Sequence, residues 1–429
     1  MTLWVSWIDQ GAHMPRLPRI QSSPIWRQCS FRNLWLGTTV SAFGSEISGV
    51  AIPLIAVLLL GATSAQMGVL RAVGTSPALL FGFVAGVWID RLRRRPILII
   101  ADIGRALLLA VLPIVAIFAS LNLPLLYLIA FAVGSLTIFF DIAYLSFVPS
   151  LVSEDDLLEA NVKVNVSLSL AGVLGPSIAG MLVQLIAAPF VVALDALSFV
   201  LSALFIGRIA HEEPPAPIRS HRNLLAEIGE GLRQVYSHAL LRPMAICLAL
   251  HFFSMSIRIA VYLIYLLRTL QITPGWLGVI LAGFGPGALL GTALTQRLVQ
   301  RFGVGATVLA GTCINCVAAA GIPLAQMLPT LAVPLLLVIN VGFGFGIALL
   351  GPMDTLRQIV TLPELRGRMN ASFRSVNMIL ATTGALVGGL LGEIIGLEAT
   401  LACAALGLAC AALVVFVSPL RRVQHVHGV

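Results

Sequence analysis

The chain has 429 residues, of which 59% are hydrophobic and 10% charged, and its mean hydropathy is +1.00. Soluble globular domains carry about a quarter of charged residues, so this composition excludes one. The formal charge of +8 does not indicate a nucleic-acid binder either, because the arginines sit in alternate loops rather than on one polar module.

Residues 1–30 lack the apolar core and small-residue cleavage site of a signal peptide and are expected to form a disordered cytoplasmic tail; Met14 within them could equally be the start. Twelve apolar segments follow, at 34–60, 67–88, 97–119, 123–147, 162–186, 190–209, 244–267, 276–298, 304–327, 331–351, 371–395 and 397–417. Each approaches or exceeds the roughly 20 residues that cross a hydrocarbon core about 30 Å thick. Several are rich in glycine, which membrane helices tolerate better than soluble ones, and none shows the strict alternation of a barrel strand. The expected fold is an all-α polytopic membrane protein.

Charge sets the expected orientation. Arg16, Arg19, Arg27 and Arg32 precede the first span, and Arg91, Arg93, Arg94 and Arg95 lie between the second and third. Arg219, Arg222, Arg233, Arg297, Arg301, Arg366, Arg368, Arg421 and Arg422 continue the series. The intervening loops 61–66, 120–122, 187–189, 326–330 and 396–400 hold no Lys or Arg. Positive residues favour the cytoplasmic side, so both termini are placed there, in a cell inner (plasma) membrane. The acidic stretch Ser153-Glu154-Asp155-Asp156 is read as a solvated cytoplasmic loop; acids weigh little in topology.

One polar interruption, 210–243, divides the spans six and six. It opens with Glu212-Glu213-Pro214-Pro215-Ala216-Pro217, an extended segment, and continues with Leu224, Leu225, Ile228, Leu232 and Val235 at helical spacing. The expected organisation is a tail (1–30), an N-terminal six-helix bundle (31–209), a cytoplasmic linker with an amphipathic helix (210–243), a C-terminal bundle (244–420) and a short cytoplasmic tail (421–429). The halves echo each other at an offset near 210 residues. Asp90-Arg91-Leu92-Arg93 answers to Gln300-Arg301-Phe302-Gly303, Ala160-Asn161 to Met369-Asn370, and Gly175 and Gly180 to Gly384 and Gly389. Parallel repeats of this kind imply twelve transmembrane helices as two pseudo-symmetric six-helix bundles, with a cavity between them near the midplane.

Six motifs stand in order along the chain. They are Phe31-Arg32-Asn33-Leu34-Trp35-Leu36-Gly37, Asp90-Arg91 with Arg94-Arg95, Ala101-Asp102-Ile103-Gly104-Arg105-Ala106, Phe139-Phe140-Asp141, Leu194-Asp195-Ala196-Leu197-Ser198-Phe199 and Leu365-Arg366-Gly367-Arg368-Met369-Asn370-Ala371. In this order the chain resembles the major facilitator superfamily over residues 31–420, and within it the bacterial drug and siderophore exporter branch that includes the enterobactin exporter and macrolide-efflux proteins. The resemblance implies a conformational-switch role for the loop of Gly86, Asp90, Arg91, Arg94 and Arg95. A carboxylate there can favour the positive end of a facing helix, while the arginines can pair with acids or lipid phosphates. Arg93 stands where the superfamily usually has glycine, and Gln300 replaces the acid in the second half, so such a latch should be asymmetric. Gly172-Val173-Leu174-Gly175-Pro176-Ser177-Ile178-Ala179-Gly180 resembles the helix-five glycine-proline motif of exporters, though its penultimate position is Ala179. Proline bends a helix and glycine permits close helix approach; ordinary packing of small residues explains the same pattern.

Ionisable groups inside spans are costly and are functional candidates by default. Glu46, on a face with Ala42, Ser45 and Gly49, and Asp141 are the candidates for carrying a coupling proton; a plain structural role is the competing reading of each. Arg258 and His251 are cavity candidates, Arg258 suiting an anionic group of the substrate or an acid of the other bundle. Phe139 and Phe252, with Phe43, Phe140, Phe253 and Tyr262, could supply apolar contact. Asp102 with Arg105, and Asp195, are read as structural pairs, and Arg71 and Arg268 as snorkelling to the surface. Cys313-Ile314-Asn315-Cys316 lies inside a span without a partner pair, and reads as packing rather than a metal site.

The expected activity is secondary-active, proton-coupled export of a small amphipathic compound (a drug, antibiotic or siderophore) by alternating access. The partners are a small-molecule substrate, the proton gradient and membrane lipids, with no cofactor, no metal and no nucleic acid, and the chain acts as a monomer. The only lysine is Lys163, within an apolar segment, which leaves no Walker A loop for a primary pump. No enzymatic activity is expected. The competing readings are an integral membrane enzyme such as a lipid-linked transferase, for which 154–156 is the only acidic cluster, and a non-transporting sensor that kept the fold.

Overall fold

A computed structural model describes residues 24–89, 92–210, 229, 233, 235–361 and 365–424. Most of the N-terminal tail, Asp90 and Arg91 of the basic loop, most of the 210–243 linker with its expected amphipathic helix, and residues 425–429 lie outside the described residues.

The described residues form an all-helical membrane protein. Eleven helical segments are long and apolar enough to cross a bilayer: α1 (Cys29–Leu59), α3 (Arg94–Phe118), α4 (Leu123–Leu151), α5 (whose apolar part is Asp155–Leu185), α6 (Ala188–Gly207), α7 (Leu241–Thr269), α8 (Pro274–Phe302), α9 (Val304–Gly321), α10 (Pro329–Val360), α11 (Ser372–Ile394 of a longer helix) and α12 (Leu397–Val417). The 26-residue apolar helix α2 (Ser64–Ile89) is the twelfth. Large apolar side chains such as Leu107, Phe118, Leu128, Leu204 and Leu406 stay exposed, which suits a lipid environment and no other.

Packing follows a two-fold pattern. In the first six helices α1 packs on α5 and α6, α3 on α4 and α6, and α2 on α4. The second six repeat this, with α7 on α11 and α12, α9 on α10 and α12, and α8 on α10. Between the halves, α2 packs on α11 and α5 on α8. The backbone repeats as well: α1 ends in a π-helical turn at Ile55–Leu59 and α7 in one at Tyr265–Thr269, 210 residues on. These turns hold equivalent bonds, Ala62 N–H to the Ala56 carbonyl and Ile272 N–H to the Leu266 carbonyl.

An even number of spans puts both ends of the chain on one side, called here the termini face; the opposite side is the far face. Several boundaries differ from the hydropathy reading. Helix α5 begins at Glu154, not near 162. Ser153 is its N-cap, accepting from the Asp156 N–H at 3.3 Å, so the acidic stretch read as a loop is the first turn of a helix. Acids are favoured there by the helix dipole and the cap satisfies a free amide, which a hydropathy window does not see. On the N-terminal side, residues 24–27 form a 3-10 turn. Ile25 is fully buried there against Phe31, Val152 and Ala160, so packed structure begins before residue 31.

In the basic loop, Arg93 is the N-cap of the helix Arg94–Phe118 with φ −68°, whereas its counterpart Gly303 has φ +86°. Only the second position needs the left-handed region that favours glycine, so arginine is tolerated at the first. The Gly303 turn is also covered by the end of the chain: Gly305 N–H donates to the Val423 carbonyl at 3.1 Å.

Candidate functional site

The two bundles meet through small residues in the far-face halves of their helices. Gly180 of α5 faces the Pro274 carbonyl and Gly278 of α8, and Gly278 in turn faces the Pro176 carbonyl. On the other side of the two-fold, Gly68 of α2 faces Gly389 and the Ala385 carbonyl of α11. Polar contacts join the halves from the far face to mid-span: the Ser64 hydroxyl reaches Glu393 at 3.3 Å and Arg268 donates to the Ala62 carbonyl at 2.8 Å at the far end, while Thr75 and Thr382 share a hydrogen bond of 3.2 Å near the middle of their helices. Arg268 therefore bridges the halves rather than snorkelling. Nearer the termini face, Leu158, Val162 and Val166 of α5 are exposed. The glycine crossings join the bundles at the far face, and among the described residues no such crossing joins them at the termini face.

The glycine-proline segment serves both contacts. A β-carbon on Gly175 would overlap the side chain of Glu46 on α1, so this glycine sets the α1–α5 spacing while Pro176 and Gly180 meet α8. The mate of this contact is Gly384, which abuts Ser256 of α7. Glu46, Ser45 and Gly49 are exposed along one side of α1, while Gly44 backs onto Ser198 and Asp195 of α6.

Asp141 is exposed on α4 in its termini-face half. Its carboxylate feels the guanidinium of Arg105 and, from α11 in the other bundle, that of Arg374, without forming an ion pair among the described residues. Phe139 of the same helix lies 6.3 Å from Phe81 of α2 between ring centroids. Phe140 turns inward at 6% exposure.

Among the described residues, each bundle holds a buried arginine between two aromatic rings, and the two differ in the acid that accompanies them. Arg105, 4% exposed, bonds Asp102 at 2.5 Å; its guanidinium sits 4.4 Å from the Phe140 ring centre and 4.1 Å from that of Phe199. Asp195 and Asp141 add negative charge nearby. This is a structural network. Arg258, 6% exposed, lies 4.1 Å from the Phe343 ring centre and 5.1 Å from that of Tyr262, yet no carboxylate among the described residues faces it. The charge that acts on it from outside α7 is Arg71 of α2, a like charge. Cation–π contacts contribute about 0.5–2 kcal/mol, while taking an ion out of water costs several kcal/mol even after relaxation. The rings do not offset the burial. The Arg258 Nε and both ring nitrogens of His251, itself 1% exposed, have no hydrogen-bond partner. Tyr262 is held by Asn340, whose amide donates to its hydroxyl at 2.7 Å.

Of the residues singled out in the sequence, Arg258 and His251 come together on one face of α7, and Phe252 next to them is 40% exposed. Glu46 and Asp141 lie apart from that pair, on α1 and α4. Arg71, read as snorkelling, is exposed and its charge also acts on Arg258; Arg374 is an addition to the sequence reading. Gly68 and Gly278, which make the crossings with Gly389 and Gly180, stand 210 residues apart but are not among the residues singled out in the sequence. In the basic loop, Arg95 donates to the carbonyls of Ile206 and Gly207, capping the end of α6; Arg94 is half-buried beside it. Gly86 is helical near the end of α2. Cys316 is half-buried with its thiol at 3.6 Å from the Ala405 carbonyl. Asp156, offered for a metal cluster by the enzyme reading, is engaged by Ser153 and Gln28.

The sequence family described as transmembrane secretion effector matches residues 21–428. The chain is 27% identical over 370 residues to the multidrug efflux pump Tap of Mycolicibacterium fortuitum, covering 83% of this chain and 88% of that protein. It is 26% identical over 203 residues to macrolide efflux protein A of Streptococcus pyogenes, covering 47% of this chain and 50% of that protein. Among solved structures, a bacterial homologue of the iron transporter ferroportin in its inward-facing state matches with a TM-score of 0.72 and 16% identity, over 92% of this chain and 99% of that one.

Proposed function

The chain belongs to the transmembrane secretion effector family of the major facilitator superfamily, and from that premise we propose that it exports a small amphipathic compound in exchange for protons. Membership makes it a multi-pass membrane transporter rather than an enzyme. The drug-efflux relatives support export as the direction of transport.

One observation carries the mechanism: the bundles touch through paired glycine crossings at the far face, and among the described residues no such crossing joins them at the termini face. With the arginine-rich termini face in the cytoplasm of a plasma membrane, this is an inward-open state that admits a compound from the cell. Rocking about the crossings would close that mouth and open the other. Contacts made in only one of the two states set the balance between them. Glu46, at the Gly175 contact, and Asp141, which feels the charge of Arg374 from the other bundle, are the groups we assign to proton coupling. Both bundles belong to one chain, which we read as working as a monomer.

Inverted vesicles carrying the full chain test this. Uptake of an aromatic amphiphile should follow an imposed proton gradient and stop when an ionophore collapses it. Uptake that ignores the gradient overturns the antiport reading.

A further inference from the structure

We propose that Arg258 and Arg71 form an anion-binding site between the bundles, which takes the carboxylate of an amphipathic substrate. The inference rests on the exporter reading above and adds the chemical class of its cargo. The chain itself shows what a buried arginine requires. Arg105 has the same aromatic sandwich as Arg258 and additionally a bonded carboxylate, Asp102, with two further aspartates near. Arg258 has the rings without the acid.

From the helix of Arg258 come His251 and Tyr262, from α10 Asn340 and Phe343, and from α2 Arg71. None is an acid. Two guanidinium charges from opposite bundles therefore act on each other at the level where the bundles meet, and an anion lying between them turns that repulsion into attraction. The free hydrogen-bonding atoms, Arg258 Nε and both His251 ring nitrogens, lie two turns apart on the same helix. A guanidinium fork matches a carboxylate better than a point charge does. The partly exposed Phe252 ring, 6.0 Å from that of His251, offers an apolar surface for the rest of the molecule. Because one arginine belongs to each bundle, the anion is held most firmly while the far face is closed and is released as α2 and α7 separate there.

The test is a fluorescence titration of the purified full-length chain in neutral detergent with 1-pyrenebutyrate, and with the pyrene alcohol and amine of equal length. The carboxylate should bind at least about tenfold tighter than the alcohol, with the amine weakest. R258Q and R71Q should each remove that preference, bringing the acid's affinity down to about that of the alcohol. Arg71 is exposed, so R71Q stays informative where R258Q fails to give a monodisperse protein. Equal affinity for acid and alcohol, tightest binding of the amine, or an intact preference in R71Q overturns the site. Nanodiscs of phosphatidylcholine alone and with added phosphatidylglycerol separate the two sources of anion. Unchanged pyrenebutyrate affinity supports a substrate site, and loss of binding in the anionic discs assigns it to lipid headgroups and overturns the proposal. Binding needs no gradient, so a chain that prefers the carboxylate but moves nothing refutes the export reading alone. An exporter indifferent to the acid refutes the site alone.

Discussion

A β-carbon on Gly180 would lie 2.9 Å from the Cα of Gly278, and one on Gly389 would lie 2.8 Å from the Cα of Gly68. These two crossings, one on each side of the pseudo-two-fold, are where backbone of one bundle touches backbone of the other. The close approach exists only while the far face is shut. Leucine at Gly180 or Gly389 should therefore disfavour the far-closed state by about 2 kcal/mol, within the range for overpacking. That amounts to roughly thirtyfold in the balance of states. Distances between spin labels on the far-face ends of α5 and α8 should lengthen, and export should fall. Unchanged distances would show that the crossing is not the pivot.

Asp141 feels the charge of Arg374 from the other bundle without an ion pair between them among the described residues, and closing the termini face in the proposed cycle would bring α4 and α11 together. Asp141→Arg should slow export about tenfold by setting two like charges at the closing surface. Exchanging both residues, Asp141→Arg with Arg374→Asp, should restore much of the rate. A double-mutant cycle gives the coupling directly; additive losses would deny the pair any role in closure.

Glu46→Gln keeps the volume packed against Gly175 and removes the titratable group. Export driven by a proton gradient should drop at least about tenfold and its pH dependence should flatten, with pyrenebutyrate binding retained. A variant with normal pH dependence would move the coupling role elsewhere.

Asp102→Ala should act on stability rather than on cargo. It strands the Arg105 guanidinium between Phe140 and Phe199, and breaking a buried pair costs about 3–5 kcal/mol. The thermal midpoint of the purified protein should fall, while the acid-over-alcohol preference of whatever remains folded stays the same.

Arg95→Ala removes the cap on the last carbonyls of α6, an interaction of about 1 kcal/mol at a helix end. A small loss of thermal stability with normal transport is expected. A large transport defect at normal stability would instead mark Arg95 as part of a switch.

Hydropathy and repeat spacing carried most of the architecture. Spans near 20 apolar residues, the split at 210–243 and the Gly175/Gly384 and Gly180/Gly389 pairs were all readable because each is a property of a local stretch or of an offset between two stretches. The start of α5 was not, since Ser153 acts through its cap bond to Asp156 and the acidic turn looks polar to any window. The split role of the glycine-proline motif was half visible: its residue types announce close packing, but that Gly175 meets Glu46 while Gly180 meets Gly278 depends on which helices lie on either side of α5.

The sequence alone determined that this is a membrane protein of two repeated halves, because burial in lipid imposes a length and a polarity on every span. It also supplied the list of charges too costly to leave in lipid without a reason. Which of those charges are neutralised was decided only by the tertiary structure. Asp102 reaches Arg105 one turn along the same helix, and that pair could be read from spacing. Arg258 finds no acid among the described residues, and the charge acting on it from the other bundle is that of Arg71, 187 residues away in the chain. Coulomb forces depend on distance in space, which hydropathy and periodicity along the chain do not contain.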